Sequence, residues 1–210
     1  VAGACSGVDT ERVHEDARRL EGLGRPTLSA GLLDDLAARV AWGEVGALSE
    51  LFELLSEDLY NYALHLSSDA ALADDIVAET FLAAWRSAST YRTGSGTYRA
   101  WLFRIARNQL RSTWARQRRE RKAIEELAAG SETSERPPDG AMEWLRQSLR
   151  ELTPDQREAV VLRYVAGLDI PDIARLLGRR EGAVRSLLHR AIRRMRRFDD
   201  DAASHRPGGP

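Results

Sequence analysis

Apolar residues recur at intervals of three and four through most of the chain, and alternating β-branched runs are absent. That periodicity belongs to helices that bury one face, and it predicts an all-α fold. The stripes come in two blocks. In the first, Leu32, Leu33, Leu36 and Val40 share one helical face. A longer stripe follows through Leu48, Leu51, Phe52, Leu55, Leu59, Tyr62 and Leu66, and a third through Leu72, Ile76, Val77, Phe81, Ala84 and Trp85. The stretch Tyr91-Arg-Thr-Gly-Ser-Gly-Thr97 then breaks the pattern. Its two glycines, two residues apart, read as a loop, and a fourth helix is expected from near Thr97 to beyond Trp114.

Between the blocks the composition changes. Gly130, Ser131, Thr133, Ser134, Pro137, Pro138 and Gly140 crowd one short stretch, which is linker chemistry. The expected organisation is therefore an extension over 1–28, a helical domain over 29–122, a linker over 123–142, a second small helical domain over 143–198 and a loose tail over 199–210. A short helix across Val8–Leu20 is compatible with the extension. In the second domain Thr153-Pro154 opens one helix, with Thr as N-cap, and Asp169 caps the next, with Pro171 tolerated in its first turn. Gly178 ends that helix.

Charge is segregated. The 210 residues carry a formal net charge of only −1. Yet Thr27–Thr90 holds eleven acidic residues against Arg39 and Arg86, a net of −9. Arg99–Lys122 holds nine basic residues against Glu120, a net of +8, and Arg163–Arg197 holds ten Arg against three acids, a net of +7. Two basic blocks behind an acidic one suit a chain that meets both nucleic acid and a protein partner. Lys122 is the one lysine among 31 basic residues. Arg forks onto phosphate and guanine edges, and the same bias also arises from a GC-rich genome.

Two constellations carry a function. In the second domain Ile173, Ala174, Gly178, Val184 and Leu187 have the order of a helix-turn-helix: a small residue at the helix crossing, glycine in the turn, apolar residues facing back. The following helix, about Glu181 to Arg197, buries Val184, Leu187, Leu188, Ala191 and Met195. It shows Arg180, Arg185, Ser186, His189, Arg190 and Arg193 on its other side, a surface suited to the major groove. In the first domain the helix after the Gly loop places Trp101, Leu102, Ile105 and Ala106 on one face. Arg104, Arg107, Arg111 and Arg118 form a rail on another. Basic residues interleaved with rings suit single-stranded DNA. Trp101 and Trp114 are also natural core residues; Tyr91 and Tyr98, beside the loop, are open to either use. A third segment, Leu72–Leu82, sets Asp74, Asp75 and Glu79 beside an apolar stripe, which suits a basic helix of a protein partner.

These residues resemble a known family. Residues 74–86, Asp-Asp-Ile-Val-Ala-Glu-Thr-Phe-Leu-Ala-Ala-Trp-Arg, resemble the core-polymerase-binding helix of sigma factors. Residues 98–108, Tyr-Arg-Ala-Trp-Leu-Phe-Arg-Ile-Ala-Arg-Asn, are similar to the promoter-melting segment of the extracytoplasmic-function group. Residues 152–168, with Val184-Arg-Ser-Leu-Leu-His-Arg190, resemble that group's C-terminal helix-turn-helix domain. The resemblance implies that Asp74, Asp75, Val77, Glu79, Thr80 and Phe81 bind the clamp helices of core RNA polymerase. It implies that Tyr91, Thr97, Tyr98, Arg104, Arg107, Asn108 and Arg111 open and hold the minus-ten element. It gives Arg179, Arg180, Glu181, Arg185, Ser186, His189 and Arg190 to the minus-thirty-five element, the domain's apolar face to the polymerase flap, and an anti-sigma factor as a further partner. Three positions depart from the family pattern: Ala78 in place of a usual Gln, Leu188 where an Arg is frequent, with the loss of a phosphate contact, and Ile192 where a basic residue is common.

Other readings make different demands. A regulator with a helical sensor domain would bind duplex DNA without polymerase, but has no use for the Arg rail. For a helical enzyme, the sequence offers no phosphate-cradling Gly-Lys-Ser/Thr loop and no His-Glu-x-x-His helix. A pure scaffold leaves both basic blocks unexplained. His14, His65, His189 and His205 are scattered, so no metal or cofactor is expected. The single Cys5 fits a reducing cytoplasm. No secretory signal or membrane insertion is expected, because apolar runs fall short of the roughly 18–20 residues that span a bilayer.

Overall fold

The computed structural model describes residues 29–92, 96–125 and 147–204, with side chains to Glu120 and over 147–197. The expected 1–28 extension, its Val8–Leu20 helix and most of the 123–142 linker lie outside those residues. Among the described residues there is no strand. They form two compact units, one before Pro137 and one after Pro138.

The first unit contains α1 (Ala30–Ala41), α2 (Val45–Ser67), α3 (Ala70–Arg86), a 3-10 turn (Ala88–Thr90) and α4 (Tyr98–Glu125). Leu33, Leu36, Ala37 and Val40 of α1 are buried, one helical face of a helix that ends where Gly43 takes φ 85°. On α2 the buried line is Ala47, Leu51, Leu55, Leu59 and Tyr62. Phe52, expected in that stripe, is 45% exposed and instead lays its ring 4.9 Å from Phe81 of α3. Helix α2 ends on Ser68, at φ 58° the one non-glycine among the described residues in the left-handed region, and Ser68 N–H returns to the Leu64 carbonyl at 2.7 Å. Asp69 then caps α3, its Oδ1 accepting from Leu72 N–H at 3.0 Å. The packing runs α1 on α2, α2 on α3 and α3 on α4. It closes over Leu102, Phe103, Ala106 and Leu110 of α4, with Phe103 edge-on to Tyr62 at 5.3 Å. Each Leu or Phe of this set contributes about 1.5–3 kcal/mol by leaving water.

The second unit contains a helical stretch at 147–150, α5 (Pro154–Val160) running into a π-helical segment (Val161–Val165), α6 (Ile170–Leu177) and α7 (Glu181–Ser204). Thr153 opens α5 with a full capping box: its Oγ1 accepts from Gln156 N–H at 3.4 Å, and Gln156 Oε1 accepts from Thr153 N–H at 3.2 Å. Asp169 stands at the N-cap of α6 but makes no side-chain cap bond. Its carboxylate accepts from Arg163 Nη1 at 2.9 Å, and the same nitrogen donates to the Leu168 carbonyl. The cationic partner outcompetes the helix's own N–H groups. Two boundaries differ from expectation. Helix α4 continues through residues 123–125, and α7 continues to Ser204, seven residues beyond Arg197. Neither stretch contains Gly or Pro, and Pro207 is the first residue after Arg197 that could not stay in a helix.

Candidate nucleic-acid interface

The second unit builds a basic helix on a fixed turn. Gly178 ends α6 at φ 65°, and a Cβ there would meet nothing within 4 Å, so the demand for glycine comes from the backbone alone. Arg179 N–H returns to the Ala174 carbonyl at 2.9 Å, and the Arg180 carbonyl accepts from Val184 N–H at 3.1 Å. The turn is thereby bonded to both helices. Val184, Leu187, Leu188, Ala191, Ile192 and Met195 are buried. At about 100° per residue they fill one arc of α7. The remaining arc carries Glu181, Arg185, Ser186, His189, Arg190, Arg193 and Arg194, all exposed. Ser186 Oγ donates to the Gly182 carbonyl at 2.9 Å and Arg190 Nε to the Ser186 carbonyl at 3.1 Å, so two polar side chains lie along the helix surface. Arg185 pairs with Glu181 at 2.9 Å, and Arg179 pairs with Asp155 of α5. Pro171, Ala174, Arg175, Gly178 and Arg180 line an open groove at the mouth of the turn.

This geometry changes two expectations. Leu188 is 6% exposed and Ile192 4%. Both face the core, so a basic side chain at either position would have to be buried.

The first unit presents its own basic strip. Arg104, Asn108 and Arg111 are exposed and Arg107 is half-buried, and helical geometry sets all four within about 100° of arc, opposite Ala106. Arg99 is not part of that strip. It turns inward to pair with Asp58 of α2, with side-chain exposures of 12% and 7%, and its guanidinium lies 5.9 Å over the Phe103 ring.

The two tyrosines beside the loop are used structurally. Tyr98 is 2% exposed, and its burial pushes the phenol well above its usual range. Tyr91, Tyr98 and Trp101 form a ring cluster with centroids 5.2–5.6 Å apart. Tyr91 donates its hydroxyl to Asp34 Oδ1 of α1 at 2.6 Å. Thr97 caps α4, its Oγ1 accepting from Ala100 N–H at 3.2 Å. In this conformation the cluster holds the loop ends and presents no open stacking face at Tyr98. Trp114, by contrast, is 38% exposed on the outer half of α4.

On α3, Asp74, Asp75 and Glu79 are exposed, whereas Val77, Thr80 and Phe81 are buried. Of the last three, Phe81 packs its ring against Phe52 of α2. Leu82 and Phe52, 41% and 45% exposed, add apolar surface to this unit. Among the described residues no group of His, Cys, Asp and Glu could hold a metal ion, and no helix is long and apolar enough to cross a membrane.

A helix-turn-helix with an Arg-rich outer face, and a separate helical unit with a basic strip and an acidic face, define a promoter-reading protein. Family models place it further: Sigma-70 region 2 matches residues 51–120, and Sigma-70, region 4 matches residues 142–195. The ECF RNA polymerase sigma factor SigL of Mycobacterium tuberculosis is 32% identical over 161 residues, 74% of this chain and 90% of SigL. The ECF RNA polymerase sigma factor BldN of Streptomyces coelicolor is 33% identical over 175 residues, 80% of this chain and 66% of BldN. Among solved structures, the sigma factor RpoE in complex with the anti-sigma factor NepR from Bartonella quintana superposes with a TM-score of 0.61. It is 28% identical and covers 72% of this chain and 96% of that one. The chain belongs to the ECF group of RNA polymerase sigma factors, and it directs promoter-specific transcription initiation.

Proposed function

We propose a division of labour between the two units. The first, over 29–122, engages core RNA polymerase at its clamp helices through the acidic face of Asp74, Asp75 and Glu79. It opens the minus-ten element with the loop ends at Tyr91 and Thr97 and with Arg104, Arg107, Asn108 and Arg111. The second, over 143–198, lays α7 in the major groove of the minus-thirty-five duplex and docks on the polymerase flap; the apolar docking face the resemblance implies is not found on α7, because its apolar arc is buried in the unit's own core. Arg185 and Arg190 serve base edge and phosphate, with Arg179, Arg180, Glu181, Ser186 and His189 around them. The observation that carries this reading is the division of α7 into a fully apolar buried arc and an Arg-rich exposed arc, beginning directly after a turn fixed by Gly178.

The protein works in the cytoplasm as a specificity subunit, and the chemistry of RNA synthesis stays with the polymerase. By analogy with the RpoE relative, which forms a complex with an anti-sigma factor, a protein inhibitor of that kind binds this chain and holds it inactive. Run-off transcription with purified core polymerase on a genomic promoter library tests the reading. Protein-dependent transcripts that share two upstream elements are expected, and Arg185→Ala is expected to relax selectivity at the upstream element alone. Transcripts that share only one element would overturn the two-unit division.

A further inference from the structure

Asp34 lies on α1, far in sequence from every residue that meets promoter DNA, yet its carboxylate reaches the loop that precedes α4. Oδ1 accepts the Tyr91 hydroxyl at 2.6 Å and the Tyr98 N–H at 3.4 Å. Tyr91 marks one end of the loop and Tyr98 the first residue of α4, so one oxygen holds both ends. The Tyr98 N–H is one of the first-turn donors that a helix cannot satisfy itself, and a carboxylate at that end also complements the helix dipole. Thr97 supplies the local cap to Ala100 N–H, and Asp34 adds a second from another helix. The Tyr91 hydroxyl also lies 3.4 Å from the Gly96 carbonyl, which ties the same ring to the far side of the loop. The three packed rings of Tyr91, Tyr98 and Trp101 complete the anchor.

We propose that Asp34 is a positioning residue for promoter opening: it sets the two loop ends and the first turn of α4 at the distance from which the minus-ten element is opened. This rests on the assignment of minus-ten opening to the loop and α4. The carboxylate touches no DNA. It holds the backbone that does, and a small displacement of a preorganised site costs much of its effect.

The test uses holoenzyme assembled from core polymerase and the full chain. Opening is followed with a fluorescent adenine analogue in the minus-ten element, on duplex promoter and on a template mismatched across that element. Asp34→Ala is expected to slow opening of the duplex about tenfold, to leave holoenzyme assembly unchanged, and to recover on the mismatched template. Asp34→Asn keeps an acceptor oxygen for both donors and is expected to open the duplex at close to the native rate. Tyr91→Phe, which keeps the ring, is expected to add nothing further to Asp34→Ala. The double substitution Arg107→Ala, Asn108→Ala tests the underlying assignment. If it slows opening and Asp34→Ala does not, the positioning role is overturned while the assignment stands. If neither slows opening, both fall. Equal losses from Asp34→Ala on both templates, with a lower melting temperature, would reduce Asp34 to a folding residue and overturn the proposal.

Discussion

Arg185 concentrates the minus-thirty-five reading in one side chain. Its guanidinium rests on Glu181, but the two side chains are 60% and 46% exposed, and a surface pair of this kind is worth about 0–1 kcal/mol. A guanine edge in the major groove takes the same fork for about 1–3 kcal/mol. Arg185→Ala is therefore expected to cost about 1–3 kcal/mol of promoter affinity and to relax discrimination at one base pair, measured by substituting each base of the element in turn. A uniform loss at every base would assign Arg185 to phosphate instead. His65 offers a second test at this scale. It is buried on α2, and burial pulls its pKa from 6.5 down to about 4. The unfolded chain takes up its proton near 6.5, the folded one only near 4, so stability is full above pH 6.5 and declines as pH falls toward 4. The limit is about 3 kcal/mol. His65→Leu is expected to flatten urea-unfolding stability across that window; an unchanged slope would place the acid sensitivity elsewhere. At this scale the sequence was readable where a residue's role is set by its own helix, as for the exposed arc of α7. It was unreadable where the partner is remote: nothing near Asp34 announces a contact 57 residues away, and although helical periodicity sets Arg99 off the Arg rail, nothing near it announces its pairing with Asp58.

The elements of the second unit are set by local chemistry, and their energetics follow from it. Thr153→Ala removes the side-chain half of the capping box and is expected to destabilise that unit by about 1 kcal/mol. Gly178→Ala forces a Cβ into the left-handed region with no packing gain, at a cost of about 1–2 kcal/mol. Both are measurable by denaturant unfolding. Gly178→Ala should in addition weaken duplex binding, because the turn aims α7, while Thr153→Ala should leave binding intact below the unfolding midpoint. The helix-turn-helix was legible for the same reason: Gly178 is required by the backbone of the turn, and Ala174, Val184 and Leu187 by the packing of the two helices it joins. The π-helical segment at Val161–Val165 was not, because Val-Leu-Arg-Tyr-Val carries no local signal for it. The Ala166 N–H returns to the Val161 carbonyl, and Leu168 N–H to the Leu162 carbonyl, only once the helix meets the Gly167 bend at φ 64°. Helix ends carry no local signal where no Gly or Pro marks them, as at 123–125 and beyond Arg197.

At the scale of the molecule the segregated charge was the most informative line of sequence. A net of −9 over Thr27–Thr90 and +8 over Arg99–Lys122 fall on the first unit and +7 over Arg163–Arg197 on the second, so a chain with almost no net charge carries one acidic and two basic blocks. Joining the units makes the second contact intramolecular, at an effective concentration on the order of millimolar. Cutting the chain between residues 130 and 140 and supplying both halves at about micromolar concentration should then cost the minus-thirty-five element up to about a thousandfold of its influence. Transcription from a template mismatched across the minus-ten element should persist with the first half alone. The measurement is the ratio of run-off product from promoters with intact and scrambled upstream elements, for the whole and the divided chain. A ratio that survives division would mean that the second unit binds polymerase tightly enough by itself to need no tether, and selectivity would then lie in each unit separately rather than in their connection.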